Sequence, residues 1–276
     1  MVINGVNFLL GSDPEVFVKD KKTRRFVGAY GMTDGTKRNP APLAHNIRVQ
    51  VDGMALEFNT NPSSGPVHFA RVVARARREL NCLIERQGDY RIVVQPTVEF
   101  DEEAWADAPD VAKVLGCEPD YNAWTMDVNE RPDADVTFRT GGGHLHMGWG
   151  AAFELDDRFL KVCGGFTREQ DVTNGVASVL YDTDVGRREL YGRAGAFRPK
   201  HYGMEYRTLS NSWVRNKELS TYVARQSFVA ASNMMTGNLM QTPEVESIIN
   251  ESKIEEAKYF LGHNKLSFPP AKYRKA

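Results

Sequence analysis

Asp13-Pro14-Glu15-Val16-Phe17-Val18 sets two carboxylates two residues apart at the head of a run of strand-forming side chains. In extended chain, residues i and i+2 share a face, so Asp13 and Glu15 project from one side of a sheet. The same spacing recurs at Glu57-Phe58-Asn59, His144-Leu145-His146 and Glu205-Tyr206-Arg207. Leu56, Phe58 and Tyr206 support the extended reading there as Val16, Phe17 and Val18 do at the first doublet. One polar pair is what any half-exposed strand shows. Four, chosen from carboxylates, imidazoles and a guanidinium, point to a cation site that faces a polyanion.

Working outward, a first strand is predicted from about Phe8 to Lys19, followed by a long loop over Tyr30–Asn39, rich in Gly, Asn and Asp, that serves as a candidate lid. Strands near 48–52 and 54–60 joined at Gly53 read as a hairpin. Ser63-Ser64-Gly65-Pro66 has the composition of a hydroxyl-capped helix start, and the apolar stripe Phe69, Val72, Val73, Ala76, Leu80, Leu83, Ile84 carries that helix to about Gln87 with its arginines on the solvated faces. A strand follows at Ile92–Pro96, then a weaker acidic helix from Ala104 to Leu115. Thr167-Arg168-Glu169-Gln170 fits a capping box and predicts a helix start. Glu218–Met235 is a striped helix stopping at Gly237, and Thr242-Pro243-Glu244 opens a last one ending near Gly262. The pattern is α+β: one domain over 1–265 with helices on one face of a largely antiparallel sheet and the polar doublets on the other, then a loose basic tail over 266–276.

Composition narrows the function classes. The chain has 276 residues, 41% hydrophobic and 26% charged, with a net charge of −1. That balance gives no electrostatic footprint for nucleic acid. The three cysteines, Cys82, Cys117 and Cys163, lack the paired spacing of a zinc site or a secreted disulfide framework, so a reducing cytoplasm is expected. The N-terminal residues have no basic start or unbroken apolar run of a secretory signal, and no stretch reaches membrane-spanning length.

The chemistry follows from ligand hardness. Glu15, Glu57, Glu205 and His144, with Asp13 and Asp52 as additions, suit magnesium or manganese, and two ions fit such a set. Gly141-Gly142-Gly143 runs directly into His144; glycines there let a ligand approach the backbone, with Gly142 and Gly143 amides meeting phosphate, His144 on a metal and His146 against a phosphate. The basic run from Arg187 to Lys200, containing Arg188, Arg193 and Arg198, delivers guanidinium groups beside Glu205 and Arg207. Acidic metal ligands plus arginines describe a nucleoside triphosphate with its ions. Glu57, Arg198 and Arg207 are the candidate catalytic residues, Lys200 a further phosphate contact, and Asn59, Arg188 and Asp120 candidate substrate contacts.

Gly11-Ser12-Asp13-Pro14-Glu15, Leu56-Glu57-Phe58-Asn59, Gly142-Gly143-His144-Leu145-His146-Met147-Gly148, Tyr191-Gly192-Arg193 through Pro199-Lys200, and Glu205-Tyr206-Arg207 together resemble the phage-associated carboxylate–amine ligases of the glutamine synthetase-like superfamily. Cys117–Trp124 is similar to the same group's middle segment. The resemblance implies a curved, largely antiparallel sheet with helices on its convex face, binding ATP and two or three Mg2+ or Mn2+ ions on the concave one. It implies that Glu15, Glu57, His144 and Glu205 hold metals, with His146, Arg198 and Arg207 around the phosphates. The activity implied is ATP-dependent formation of an amide through an acyl phosphate, on carboxylate and amine substrates such as amino acids, peptides or protein side chains, in the host cytoplasm. The chain starts close to the first catalytic strand, so a ring of the glutamine synthetase kind is not expected; a monomer or small homo-oligomer is. A metal-dependent phosphoesterase, a phosphagen-kinase-like phosphotransferase and a non-catalytic nucleotide-binding phage factor are the alternatives.

Overall fold

Two edges of one long strand organise the sheet. In the computed structural model, which describes residues 2–3, 5–114, 120–129, 137–182 and 184–275, Ala55–Ser63 pairs along one edge with Ile47–Asp52 and along the other with Leu9–Ser12 and then Glu15–Asp20. The expected single strand from Phe8 to Lys19 is therefore two. Pro14 has no N–H to give to a ladder, so the chain breaks at Asp13-Pro14, and the Pro14 carbonyl instead accepts from the Phe58 N–H at 3.2 Å.

From that break the sheet forks. Leu9–Ser12 leads through Leu145–Gly148, Gly203–Tyr206 and Ala196–Lys200 to Tyr121–Asn122, while Glu15–Asp20 pairs with Tyr90–Val93 and Phe26–Val27. With Ala41–Ala44 on the edge of Ile47–Asp52, eleven strands among the described residues make this sheet, every pairing antiparallel. The hairpin at Gly53 is as expected: Asp52 faces Ala55 across a two-residue turn, with Gly53 at φ 58°.

Alternation sends Leu10, Val16, Leu56, Phe58, Leu145, Met147, Phe197, Met204 and Tyr206 into one core. That core is closed by the helices Pro66–Glu85, Asp157–Gln170 and Lys217–Thr236. The opposite face carries the doublets, flanked by a small second core of Phe17, Met54, Ala55, Val98, Phe100, Ala108 and Ala112. The α+β reading holds, with helices on the face away from the doublets.

Local expectations fail where tertiary contacts take over a capping group. The first long helix is preceded by Gly65 with no side-chain cap, because the Ser63 hydroxyl is shared with His68 Nδ1 at 2.9 Å. Arg77 turns from the solvated face to donate to the Val214 carbonyl at 2.6 Å, while Arg71, Arg75, Arg78 and Arg86 stay exposed. The acidic segment divides at Pro109 into Glu102–Ala106 and Asp110–Lys113, and its expected end at Leu115 lies outside the described residues. The strand expected at Ile92–Pro96 is Tyr90–Val93.

Thr167–Gln170 closes a helix rather than opening one. Asp156 caps Asp157–Gln170 by accepting from the Phe159 N–H at 2.7 Å, and the Thr167 hydroxyl bonds back to the Cys163 carbonyl at 2.9 Å. A π-turn, Asp171–Gly175, then continues the helix into Val176–Ser178. Gly237 ends its helix at φ 75° as expected, but the last helix is two, Glu244–Asn250 and Ile254–His263. The basic C-terminal segment is not loose. Pro269 is buried, Lys272 pairs with Glu218 at 2.8 Å, and the Lys275 N–H donates to the Leu180 carbonyl at 2.7 Å.

Trp213 ties core to doublet face: it is fully buried, stacks on Phe69 with ring centroids 5.7 Å apart, and its Nε1–H donates to the Gly143 carbonyl at 3.0 Å. Trp213→Ala is expected to cost about 3–5 kcal/mol, read as a lowered urea midpoint at unchanged slope.

Candidate functional site

The site is two clusters, one on each side of Pro14. The first is built on a single row of the sheet. His146 sits opposite Gly11 on one side and Glu205 on the other, and Arg198 sits opposite Glu205. Asp13 reaches the imidazole from the break in the strand. His146 Nε2 lies 2.9 Å from Asp13 Oδ2, and His144 Nδ1 lies 3.6 Å from Asp13 Oδ1 and 3.5 Å from Glu205 Oε1. One ligand atom each from Asp13, His146 and Glu205 falls within 4.8 Å of the others. Asp13 Oδ1, His144 Nδ1 and His146 Nε2 are buried without a hydrogen bond of good geometry. Orphaned ligand atoms converging on one point fit a bound cation.

Charge around this cluster is balanced. Glu205, 2% exposed, is met by Arg198 at 3.4 Å, Lys200 at 3.1 Å and Arg207. Burial opposes its ionisation, but Arg207, His146, His144 and Lys200 outweigh it and hold the carboxyl well below the usual range. Asp13 behaves alike: against burial, the close approach of His146 and His144 holds it at about 2. His146 is raised in turn, burial being overcome by Asp13, and its Nδ1 shares a hydrogen bond with the Tyr202 hydroxyl.

The second cluster is Glu15, Asp52 and Glu57, again with ligand atoms within 4.8 Å of one another. Glu15, Glu57 and Gln50 are neighbours across three strands. Gln50 Nε2 donates to Glu57 Oε1 at 2.7 Å, while Gln50 Oε1 accepts from Asn59 Nδ2 at 3.3 Å; Glu15 Oε2 accepts from the Gly142 N–H at 2.8 Å. Here charge is unbalanced. Among the described residues the cluster's ion pair is Lys37 with Asp52 at 2.7 Å, supplied by the loop expected to be a lid. Burial, then repulsion from Asp13, Asp52 and Glu15, pushes Glu57 well above its usual value; burial and Asp52 raise Glu15. Three carboxylates that repel one another, Glu57 buried and Glu15 and Asp52 half-buried, suit a hard cation.

A partly open cleft is lined by Glu15 and Asp52 of the second cluster, by His144 beside the first, and by Asp120 and Arg207 among others. The residues expected from sequence to hold metal fall in or beside these two clusters, Asp52 with Glu15 and Glu57, and His144 beside Asp13 and Glu205. Arg207 spans Asp120, at 2.8 Å from Nε, and Glu205. Lys200 and Arg198 border the first cluster.

Other expectations need correction. Arg193 is exposed and outside the cleft lining. Arg188 is buried away from it, donating to the Asp184 carbonyl at 3.2 Å and Ser252 Oγ at 2.6 Å. Asn59 acts on Gln50 rather than on the cleft. The glycine amides do not stand open to phosphate: Gly141 donates to the Pro96 carbonyl at 2.7 Å, Gly142 to Glu15, and Gly143 to the Leu209 carbonyl at 2.9 Å. Their small size serves protein packing, since a Cβ on Gly143 would lie 2.2 Å from the Ser210 carbonyl oxygen and one on Gly142 would lie 2.4 Å from His144 Nε2.

Sequence reasoning missed three residues. Arg187, 2% exposed, lines the cleft and donates to the carbonyls of Thr208, Leu209 and Arg207 at 2.8, 3.0 and 3.3 Å; burial lowers its guanidinium to about 10. Arg139 also lines it, over the Trp105 ring at 4.3 Å. Adjacent arginines such as 187 and 188 look alike in sequence, but Arg139 stands two residues before the glycine run and Gln50 pairs with Glu57 in the hairpin register, so both had a signal.

The segment around the first cluster has known relatives. Residues 136–266 match the family model described as phage phiEco32-like COOH.NH2 ligase-type 2. The family name is that of a carboxylate–amine ligase, and the resemblance read from the sequence is borne out over this stretch. It contains His144, His146, Arg198, Lys200, Glu205 and Arg207, whereas Asp13, Glu15, Asp52 and Glu57 precede it. No curated protein matches the chain. No helix among the described residues is long and apolar enough to cross a membrane.

Glu57 gives the pH test. Its folded pKa lies above the unfolded value of about 4.5, so its contribution to stability is present below that value and is lost as pH rises through the folded pKa. In chelator at neutral pH, Glu57→Gln is expected to raise the melting temperature by ~2 °C or more, and to shrink the further rise that Mn2+ gives the unaltered protein.

Proposed function

We propose that this protein is an ATP-dependent carboxylate–amine ligase that forms an amide through an acyl phosphate. The observation that carries the reading is the pair of cation-suited clusters flanking Pro14, of which only the first is bordered by Arg198, Lys200 and Arg207. The family name over 136–266 supports the reaction class. An antiparallel sheet with helices on one face and both clusters on the other agrees with the glutamine synthetase-like architecture that the resemblance implies.

In this reading Asp13, His144, His146 and Glu205 hold one divalent ion and Glu15, Asp52 and Glu57 another. Such ions neutralise phosphate charge when bound. Arg198, Lys200 and Arg207 meet the phosphates from the side of the first cluster, so the polyphosphate lies along it and the acid and amine enter from the Asp120–Arg207 side of the cleft. A substrate carboxylate oxygen attacks the terminal phosphorus and ADP leaves; the amine nitrogen then attacks the acyl carbon, phosphate leaves with the former carboxylate oxygen, and the nitrogen gives up its proton. Preorganised guanidinium groups stabilise the charge that moves in the first step. Water in the cleft would hydrolyse the acyl phosphate, and the Tyr30–Asn39 loop, already fixed to Asp52 through Lys37, is the element to exclude it. The substrates fall in the class of amino acids, peptides or protein side chains, and the reaction takes place in the cytoplasm of a phage host.

Incubation with ATP, Mg2+ or Mn2+, and mixed amino acids and peptides is expected to release phosphate only when both an acid and an amine are present, with a product mass equal to their sum less water. Release without an amine would establish a phosphohydrolase, a phosphorylated product without phosphate release a phosphotransferase, and binding without turnover a non-catalytic factor. Glu205→Ala is expected to abolish metal-dependent ATP binding while the far-UV circular dichroism stays unchanged.

A further inference from the structure

Behind the first cluster, on the helix side of the sheet, one buried carboxylate gathers four donors. Asp171 is fully buried. Its Oδ1 accepts from the Tyr206 hydroxyl at 2.7 Å and the Thr208 hydroxyl at 3.2 Å; its Oδ2 accepts from Trp124 Nε1–H at 2.8 Å and the Gly195 N–H at 2.6 Å. Burial alone would make so placed an acid unfavourable, and an apolar residue of similar size is the cheaper core filler.

The donors come from the chain segments that carry the site. Tyr206 and Thr208 alternate with Glu205 and Arg207, so the former point to the helices while the latter point to the cleft. Gly195 begins the approach to Arg198 and Lys200. Trp124 belongs to the segment that starts at Asp120, the partner of Arg207 Nε. Arg207 itself donates its N–H to the Ala196 carbonyl at 2.9 Å, and Ala123 donates its N–H to the Gly195 carbonyl at 2.8 Å, so the segments are cross-braced around the carboxylate.

Local geometry is spent on making this contact. Asp171 is the first residue of the π-turn, a feature that costs regular helix hydrogen bonding and is frequent at functional sites. The turn ends at Gly175, where a Cβ would lie 3.0 Å from the Tyr206 hydroxyl and 3.2 Å from Asp171 Oδ1. Gly195, at φ 80°, has no room for a side chain beside Asn122 and Trp124. Burial pushes the Asp171 carboxyl up to about 7 even against four donors.

We propose that Asp171 is a positioning residue for the first cation cluster, holding Glu205 and Arg207 at their pitch toward the cleft by anchoring Tyr206, Thr208, Gly195 and Trp124 from behind the sheet. The second cluster, on the other arm of the fork, takes no support from it. The proposal rests on the cation sites of the proposed function. Two of the four donors are hydroxyls that can reverse, so an asparagine can keep its carbonyl on Trp124 and Gly195 and donate its amide to Tyr206 and Thr208. An alanine keeps none of this.

The test is Mn2+ titration of the full chain by calorimetry and electron paramagnetic resonance. The unaltered protein is expected to bind two ions; Asp171→Ala should weaken one of them by about tenfold or more and leave the other within about twofold, and Asp171→Asn should recover most of the loss. A merely structural role moves both ions together. Wild-type binding of both ions by Asp171→Ala, equal loss of both, or an asparagine variant as defective as the alanine one overturns the proposal. Should Asp171→Ala fail to fold, the paired change Tyr206→Phe and Thr208→Val, which cuts both links to the strand, must give the same one-ion loss, and unchanged binding overturns the proposal. If the unaltered protein binds no ion, the metal reading itself falls. Hydrogen exchange then decides the positioning claim: faster exchange across 203–208 with 55–63 unchanged in Asp171→Asn or Tyr206→Phe with Thr208→Val supports it, and no difference overturns it.

Discussion

The missing N–H of Pro14 is the constraint on which the site depends. A continuous strand through Asp13 and Glu15 would set both carboxylates in one row against one neighbour. Because the ladder cannot run through proline, Leu9–Ser12 keeps its pairing with Leu145–Gly148, while Glu15–Asp20 takes Tyr90–Val93 and Phe26–Val27 as new neighbours. Ala55–Ser63 spans both halves and keeps them from separating further. The fork is filled by backbone at Gly142, whose carbonyl accepts from the Glu15 N–H at 2.9 Å and whose own N–H goes to the Glu15 carboxylate. Two ligand clusters thus stand side by side without sharing a strand row.

The two clusters differ in electrostatic character, and this assigns them different work. Around Glu205, three cationic side chains and two imidazoles give the carboxylate a secure negative charge. Around Glu57 the nearest charges are other carboxylates, and the balancing ammonium of Lys37 arrives on a surface loop. The cationic side chains stand at the first cluster, whereas the second holds mutually repelling carboxylates. Desolvation sharpens the contrast, because the same burial that makes a paired charge durable makes a repelled one costly.

Much of this was legible because strands alternate. The i, i+2 doublets gave the face, the residue types gave acids and imidazoles that the fold gathers into clusters, and the Gly53 hairpin and Gly237 terminus followed from backbone conformations that favour glycine. What escaped was set by partners distant in sequence. Thr167–Gln170 has capping-box chemistry, yet Asp156 had already started the helix eleven residues earlier, and no local pattern ranks one cap over the other. The glycine run was read as a ligand cradle when its neighbours are Ser210, Asn211 and Trp213. Arg187 and Arg188 differ only in which side of a short helix, Gly186–Leu190, each leaves. Asp52 could not be placed by spacing because its partners, Glu15 and Glu57, lie on the far side of a hairpin and a neighbouring strand.

Ala55–Ser63 is hydrogen-bonded along both edges, and this limits how the chain can vary in length. The loop through 28–40 is tied to the hairpin at a few points, the Gly35 carbonyl accepting from the Val51 N–H at 3.0 Å and Lys37 meeting Asp52 at 2.7 Å, so inserted residues are tolerated only between those ties. Inside the hairpin, by contrast, gaining or losing one residue would turn Glu57 toward the helices and Leu56 toward the cleft, since a one-step slip exchanges the faces of a strand. Diversification of this scaffold is thereby steered into its connections, where length and composition can change while the row of carboxylates and imidazoles stays in step.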